Sequence, residues 1–313
     1  MKKVIAVAIF VFLLCNFSIA FANDSAAGIA AGGIQLKNER NVEIEREDLF
    51  ISNEKIEITY KFKNLSDKDI ITEVAFPIPV YSYKYDTQLP DFDSFTVFEN
   101  GGKIECFEEA KALVKGKNYA DILKSMNISI KDFGKYNPEE KTNFFDKLNS
   151  QNQAILLKKG LVVSKPEVGW PNWTVSLYYH WKQKFPANRT IEIKHSYKPY
   201  CGYEPVSYEA RNDFFKESCS DDAARKSVKK FVNNGYFYPE WVSYILRTAN
   251  NWKRPIKDFH LAVEAKGRAE LASFCFEYPL VRKSPKRIEA RVKNFIPQKD
   301  LKIFFIINPL ITN

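Results

Sequence analysis

Two kinds of hydrophobic pattern divide this chain. In "EKIEITYKF", Ile56, Ile58, Tyr60 and Phe62 alternate with Glu57, Thr59 and Lys61, the period-two signature of a half-buried strand. The polar stretch "NLSDKD" turns the chain, and "IITEVAFP" resumes extended structure. In "FDSFTVFENGGKIE", Asn100-Gly101-Gly102 separates two strand patterns, which predicts a hairpin because these residues tolerate positive φ. The run Phe76-Pro77-Ile78-Pro79 poses a choice between an aromatic groove and the edge of a sheet. Proline donates no ladder hydrogen bond, so the pattern predicts that the strand ends there or follows an edge.

Between Glu105 and about Gly160 the period changes. "CFEEAKALVKG" and "NYADILKSM" read as short helices, with Glu108 and Glu109 at the start of the first. In "NPEEKTNFFDKLN", Asn137 stands as N-cap, Pro138 at the first helical position and Glu140 at the capping-box position. Gly160 is placed to end this region. Alternation then returns: Trp173, Val175, Leu177, Tyr179 and Trp181 share one face, and Ile191, Ile193, His195 and Tyr197 the inward face of the next strand. With Phe-Pro-Ala-Asn between them, the two segments predict a long amphipathic hairpin. A helix follows at 220–234, capped by Ser220, with Asp221 and Asp222 at its positive end, Lys229 and Lys230 at the other and Gly235 beyond it. Strand patterns close the chain around Trp241–Leu246, Phe259–Ala265, Leu271–Phe276, Ile288–Val292 and Leu301–Ile307.

The fold class that results is mainly β, with β-sandwich-like sheets and a helical insertion, α+β overall. The expected division is a β domain at 23–106, a helical connection at 107–165, and a β domain at 166–313 carrying the helix at 220–234. Residues 1–22 stand apart from the fold. Lys2 and Lys3 precede the apolar Val4–Leu14 run, and Ala20-Phe21-Ala22 forms a small-residue cleavage site, so a signal peptide is expected to be cut between Ala22 and Asn23. Cleavage would leave 291 of the 313 residues and lower the formal charge from +9 by two, to +7. The remaining chain has no apolar run of the ~20 residues that a spanning helix needs.

Export changes the reading of the cysteines. Cys106, Cys201, Cys219 and Cys275 form an even set, expected to be disulfide-bonded in one of three connectivities. No metal-binding or redox Cys-x-x-Cys pair occurs. The histidines His180, His195 and His260 lie on separate strand patterns, and His195 reads as a core residue. Asp221-Asp222 could pair for acid–base work or calcium, but the positive end of a helix explains them. No catalytic, cofactor or metal set assembles, and no cofactor is expected. The best surface candidates are the aromatics of and beyond "GWPNWT": Trp170, Trp173, Tyr178 and Trp181 could stack on sugars or anchor a partner. A packed β core is the competing explanation. The positive charge is spread along the chain, which argues against nucleic acid as a partner.

Several of these segments together resemble a bacterial exported family, domain of unknown function 4424. The likeness runs from "NDSAAGIAAGGIQL" through "IEREDLFIS", "YKFKNLSDKDIITEVAFPIP", "HSYKP" and "SCSDD" to "LASFCF". It implies export and a β-rich fold, and it supplies no catalytic residues. It also implies a Cys219–Cys275 bridge, leaving Cys106 and Cys201 for a second. A looser likeness links Glu54–Leu113 to the VIT-type β domain of secreted inter-α-trypsin-inhibitor proteins, at fold level only. The expectation is an exported, non-enzymatic binding or scaffolding protein of the periplasm or cell exterior, with an unknown envelope protein or glycan as partner. Its rivals are an envelope glycan or peptide hydrolase and a carbohydrate-binding module built on the surface tryptophans.

Overall fold

The computed structural model describes residues 25–30, 33–83, 94–136, 143–164, 169–203 and 205–309. The expected signal peptide with its Ala22/Asn23 junction, and the Asn137, Pro138 and Glu140 capping set, lie outside these residues. The fold is mostly β, in several sheets.

The first sheet has six strands, in the order β2 (Gly33–Leu36), β1 (Ser25–Ala30), β5 (Ile70–Ser82), β10 (Thr174–Phe185), β8 (Phe107–Val114) and β9 (Lys117–Asn118). The second has eight: β18 (Val281–Ser284), β19 (Arg287–Phe295), β16 (Ile256–Glu264), β3 (Val42–Ser52), β4 (Ile56–Asn64), β11 (Thr190–Tyr197), β6 (Thr96–Glu99) and β7 (Gly102–Ile104). A third sheet orders β12 (Cys201–Tyr203), β15 (Pro239–Tyr244), β20 (Leu301–Ile307) and β17 (Ala269–Ser273). β13 (Val206–Ser207) pairs with β14 (Tyr236–Phe237) alone. The helices are α1 (Ala120–Ser125), α2 (Ser150–Lys159), α3 (Arg211–Glu217) and α4 (Asp222–Phe231).

The inward residues of the first two sheets share one core. The Phe95 and Tyr179 rings stack at 3.9 Å, and Trp181 lies 5.1 Å from the ring of fully buried His195. A smaller cluster seats Phe214 and Phe215 of α3 and Val228 and Phe231 of α4 against Leu271, Phe304 and Ile306 of the third sheet. Each such buried side chain stabilises by roughly 1.5–3 kcal/mol.

Several expectations need correction. The inward faces of β10 and β11 are as the alternation predicts, but the two strands do not pair with each other. β10 pairs with β5 and β8, while β11 pairs with β4 and β6 in the other sheet. The 107–114 segment is a strand, not a helix, since Ala112 and its neighbours are claimed by pairing with Val175. Glu108 and Glu109 therefore cap nothing; they pair with Lys131 and Lys111. The strand turns at Lys115 and Gly116, both at positive φ. Helix α1 stands as expected. Residues 143–148 form turns, and the next helix is α2, capped by Asn149, whose Oδ1 accepts from Asn152 N at 2.9 Å. Gly160 ends it in the left-handed region, as read from the sequence.

The α4 cap is Asp221 rather than Ser220: its carboxylate accepts from Ala224 N at 2.9 Å. Ser220 is buried against Ser218 instead, and the helix stops at Phe231, four residues before Gly235. Strands drawn from all three expected segments share the first sheet, and strands from 42–104 and 190–295 share the second. The boundaries at 106 and 165 thus cut through the first two sheets, while the third lies wholly beyond them.

The Phe-Pro-Ile-Pro run neither ends its strand nor opens a groove. β5 continues through both prolines, with Pro77 opposite Tyr178 and a bulge in the pairing between Val175 and Leu177. On its other side β1 reaches only Ala75, so among the described residues the prolines lie on a local edge. The void beside Ile78 and Pro79 measures about 20 Å³ and is lined by Tyr197, Tyr200 and Trp241.

Candidate functional site

The aromatics singled out from the sequence do not meet on the surface. Trp173 and Trp181 are each 1 % exposed, because odd-numbered β10 residues face the core and Trp173, just before the strand, falls in with them. Trp173 donates its indole N–H to Ile130 O at 3.1 Å, and Trp181 donates to Gln183 Oε1 at 3.0 Å. Trp170 packs edge-on to Tyr83 at 6.0 Å. Tyr178 points to the opposite face of its sheet, with Lys111 above its ring at 5.4 Å. These four residues therefore make no shared platform.

The other candidates also resolve into structural roles. His180 Nδ1 lies 2.6 Å from Glu73 Oε1 on the outer side of the first sheet, so it does not face His195. Asp221 is held below the ordinary carboxylate range: burial raises it, but the helix N–H groups and Arg282 outweigh that. Among the described residues no group of three or more His, Cys, Asp or Glu side chains is placed to hold a metal. Cys219 and Cys275 are bonded, with Cα atoms 5.0 Å apart. Cys106 and Cys201 are free thiols, against the expected second bridge. Cys106 precedes β8 of the first sheet, while Cys201 belongs to β12 in the third, where its Sγ donates to Asn53 O at 3.0 Å. Burial pushes the Cys201 thiol up to about 12 and raises that of Cys106, so neither is an activated nucleophile.

What the fold does assemble lies on the outer face of the eight-stranded sheet. Because strand side chains alternate, the residues between the core positions of β6, β11, β4, β3 and β16 all emerge there. The register sets them in rows. One runs Phe98, Lys194, Thr59, Asp48, His260; the next runs Thr96, Ser196, Glu57, Phe50, Ala262. Small residues in these rows leave depressions between larger ones. A groove of about 450 Å³ lies over β11, bounded by Phe98, Glu57, Glu192, Lys194 and the bare turn at Gly101. A second, of about 230 Å³, lies over Thr59 and Ala262, walled by Asp48, His260 and Arg287. The two share Glu57 and Lys194, whose charged atoms are 3.7 Å apart.

Charge is distributed unevenly along this face. At the β19 end it is locked: Arg287 contacts Glu264 and Glu289, each at 2.7 Å, and Lys266 also contacts Glu264. Asp48 is held by Arg46 at 2.6 Å and lies 3.3 Å from His260 Nδ1. Burial raises the Asp48 pKa, yet these partners bring it below the ordinary value. At the β6 end, Glu57 takes Lys55 at 3.0 Å and Lys194 only at the longer distance, so Lys194 can exchange partners.

The locked end makes a pH prediction. Hydrogen bonds from Lys266 and Arg287 lower Glu264, and one from Arg287 lowers Glu289, beneath their ordinary 4.5. A depressed folded-state pKa contributes stability that is fully present above 4.5 and fades as pH falls through the lower folded values. The Glu264→Gln, Glu289→Gln variant should show a shallower acid decline of its urea midpoint than the wild type. Parallel declines would contradict this assignment.

Among solved structures, the chain is similar to a Legionella pneumophila protein provisionally called a nutrient binding protein. The identity is 13 %, the match covers 92 % of this chain and 70 % of that one, and the TM-score is 0.44, a likeness too distant to bear on function. No curated protein matches the chain. The family model described as a domain of unknown function, DUF4424, matches residues 22–304. With most of its length matched, and the β-rich fold and Cys219–Cys275 bridge which that resemblance implied now in place, the chain belongs to the DUF4424 family.

Proposed function

We propose that this protein is an exported, non-enzymatic binding protein of the cell envelope that holds its ligand across the outer face of the eight-stranded sheet. The first two sheets make a sandwich-like pair, with the helices as additions in an α+β whole, and that pairing leaves this face outward. The observation that carries the reading is the pair of adjoining grooves meeting at Glu57 and Lys194. Export is supported by the charged and apolar N-terminal pattern and by the Cys219–Cys275 bridge, since such bonds persist in oxidising compartments. The hydrolase alternative is less well supported. On this face, Asp48 is held by Arg46, and Glu264 and Glu289 by Arg287, which keeps these three carboxylates below their ordinary values, whereas a general acid needs a raised one.

The test is capture from an envelope extract by the immobilised protein, with Ser196→Tyr filling the floor of the larger groove. The variant should keep the wild-type melting temperature and lose at least about tenfold in captured material, the equivalent of 1.4 kcal/mol. Equal capture by a folded Ser196→Tyr variant would remove this face from the binding function.

A further inference from the structure

We infer that the ligand of this face is an extended glycan, neutral or amine-bearing, lying across the strands from β6 to β3. This deepens the proposed function and rests on its assignment of the face. Two half-buried rings mark the ends of the path: Phe98 on β6 and Phe50 on β3. Between those strands lie β11 and β4, so the rings are three strand spacings apart across the sheet, about 14 Å at ~4.8 Å each, and one row apart along it. That length suits a chain of several sugar rings better than one small molecule. A ring face offers the apolar, rigid surface on which a pyranose can rest.

The ground between the rings is polar. Ser196 faces Thr96 on one side and Glu57 on the other, and Thr59 faces Lys194 and Asp48. The Thr96 and Ser196 hydroxyls lie 3.3 Å apart. Hydroxyls both donate and accept, and ionised carboxylates only accept, so this floor matches a ligand rich in O–H or N–H donors. At one end Gly101 has φ +86° and nothing within 4 Å of where a Cβ would stand. A chain can therefore run out over this turn without meeting a side chain. At the other end Arg287 stands 6.0 Å from the centre of the Phe50 ring and closes the path.

Two other polymers fit less well. An extended peptide lying across the strands would find the sheet's own N–H and C=O groups already paired in the ladders, so it could not add as a strand and would be held by side chains alone. An acidic polymer would meet Glu57, Glu192 and Asp48. The arginines nearby are already held, Arg46 by Asp48 and Arg287 by Glu264 and Glu289, and Glu57 takes both Lys55 and Lys194; among the described residues, Lys103 beside Phe98 and Lys61 beside Glu192 stand at the margin of the groove rather than in its lining.

Titration calorimetry with three hexasaccharides tests the inference: β-1,4-linked glucose, β-1,4-linked glucosamine and α-1,4-linked galacturonate. The glucose or glucosamine hexamer should bind, and galacturonate should bind most weakly. Phe98→Leu and Phe50→Leu keep apolar volume but remove the ring, and each should weaken binding about tenfold at an unchanged melting temperature. Failure of both favoured hexamers to bind, unchanged binding by the two leucine variants, or tightest binding by galacturonate would each overturn the glycan assignment. If the hexamers fail while Ser196→Tyr still abolishes capture from extract, the glycan is wrong and the binding face survives. If Ser196→Tyr leaves capture intact, the face itself is wrong.

Discussion

Replacing Cys219 and Cys275 together by serine is expected to cost about 4 kcal/mol of stability, read from urea unfolding of the oxidised wild type against the variant. The bond closes a loop between residues 56 apart, and in the chain-entropy account a loop of that size removes about this much freedom from the unfolded chain. Locally it ties the turn between α3 and α4 to the segment just after β17. A buried hydrogen-bond set spans the same junction. Ser273 donates to Ser218 O at 3.1 Å, and the Ser218 and Ser220 hydroxyls meet at 2.7 Å. These bonds should keep the variant's native structure near the wild type's, so the loss belongs mainly to the unfolded state. A loss below about 1 kcal/mol would show that the serine set alone secures the junction and that the bridge is nearly neutral.

Trp181→Ala should be comparably severe, at about 4 kcal/mol, within the range for emptying a large buried aromatic site. The indole is 1 % exposed and packs on His195, and its N–H is the donor to Gln183 Oε1, itself almost wholly buried. Truncation therefore leaves a cavity and an acceptor without its donor. Gln183 in turn donates to Glu99 Oε2 at 3.1 Å, one residue from Phe98 at the groove. Trp181→Phe should recover more than half of the loss, because the ring volume is largely kept. Ligand binding per folded molecule should change far less than stability. Loss of binding in a fully stable Trp181→Ala protein would instead restore this residue to the functional surface.

That contrast marks how far the sequence can be read. Alternation in β10 and β11 correctly tells which residues face inward, because the period of a strand is a property of its own backbone. It cannot tell which strand lies alongside, and a four-residue turn that normally joins a hairpin here carries the chain from one sheet to the other. Residues 107–114 mislead for a related reason: Glu, Ala, Lys and Leu favour helix in isolation, and pairing with β10 overrides them. The Cys219–Cys275 bridge was legible through family likeness, whereas Cys106 and Cys201 were paired only because two cysteines remained. The groove was not legible at all. Phe98, Ser196, Glu57 and Asp48 are ordinary outward residues of four strands, and only the register of Ser196 with Glu57 and Thr96 makes them neighbours.

The pairing of β3 with β16 has a further consequence. These strands run parallel, with Arg46 beside Asp258, and β3 sits between β16 and β4 in the middle of its sheet. During synthesis one side of β3 must wait for nearly the whole polypeptide to emerge before it finds its neighbour. Such non-local closure places the protein among slow folders, on the scale of milliseconds to seconds. Truncated chains ending before Ile256 should remain open and prone to self-association, with the long edge of β3 as the adhesive element.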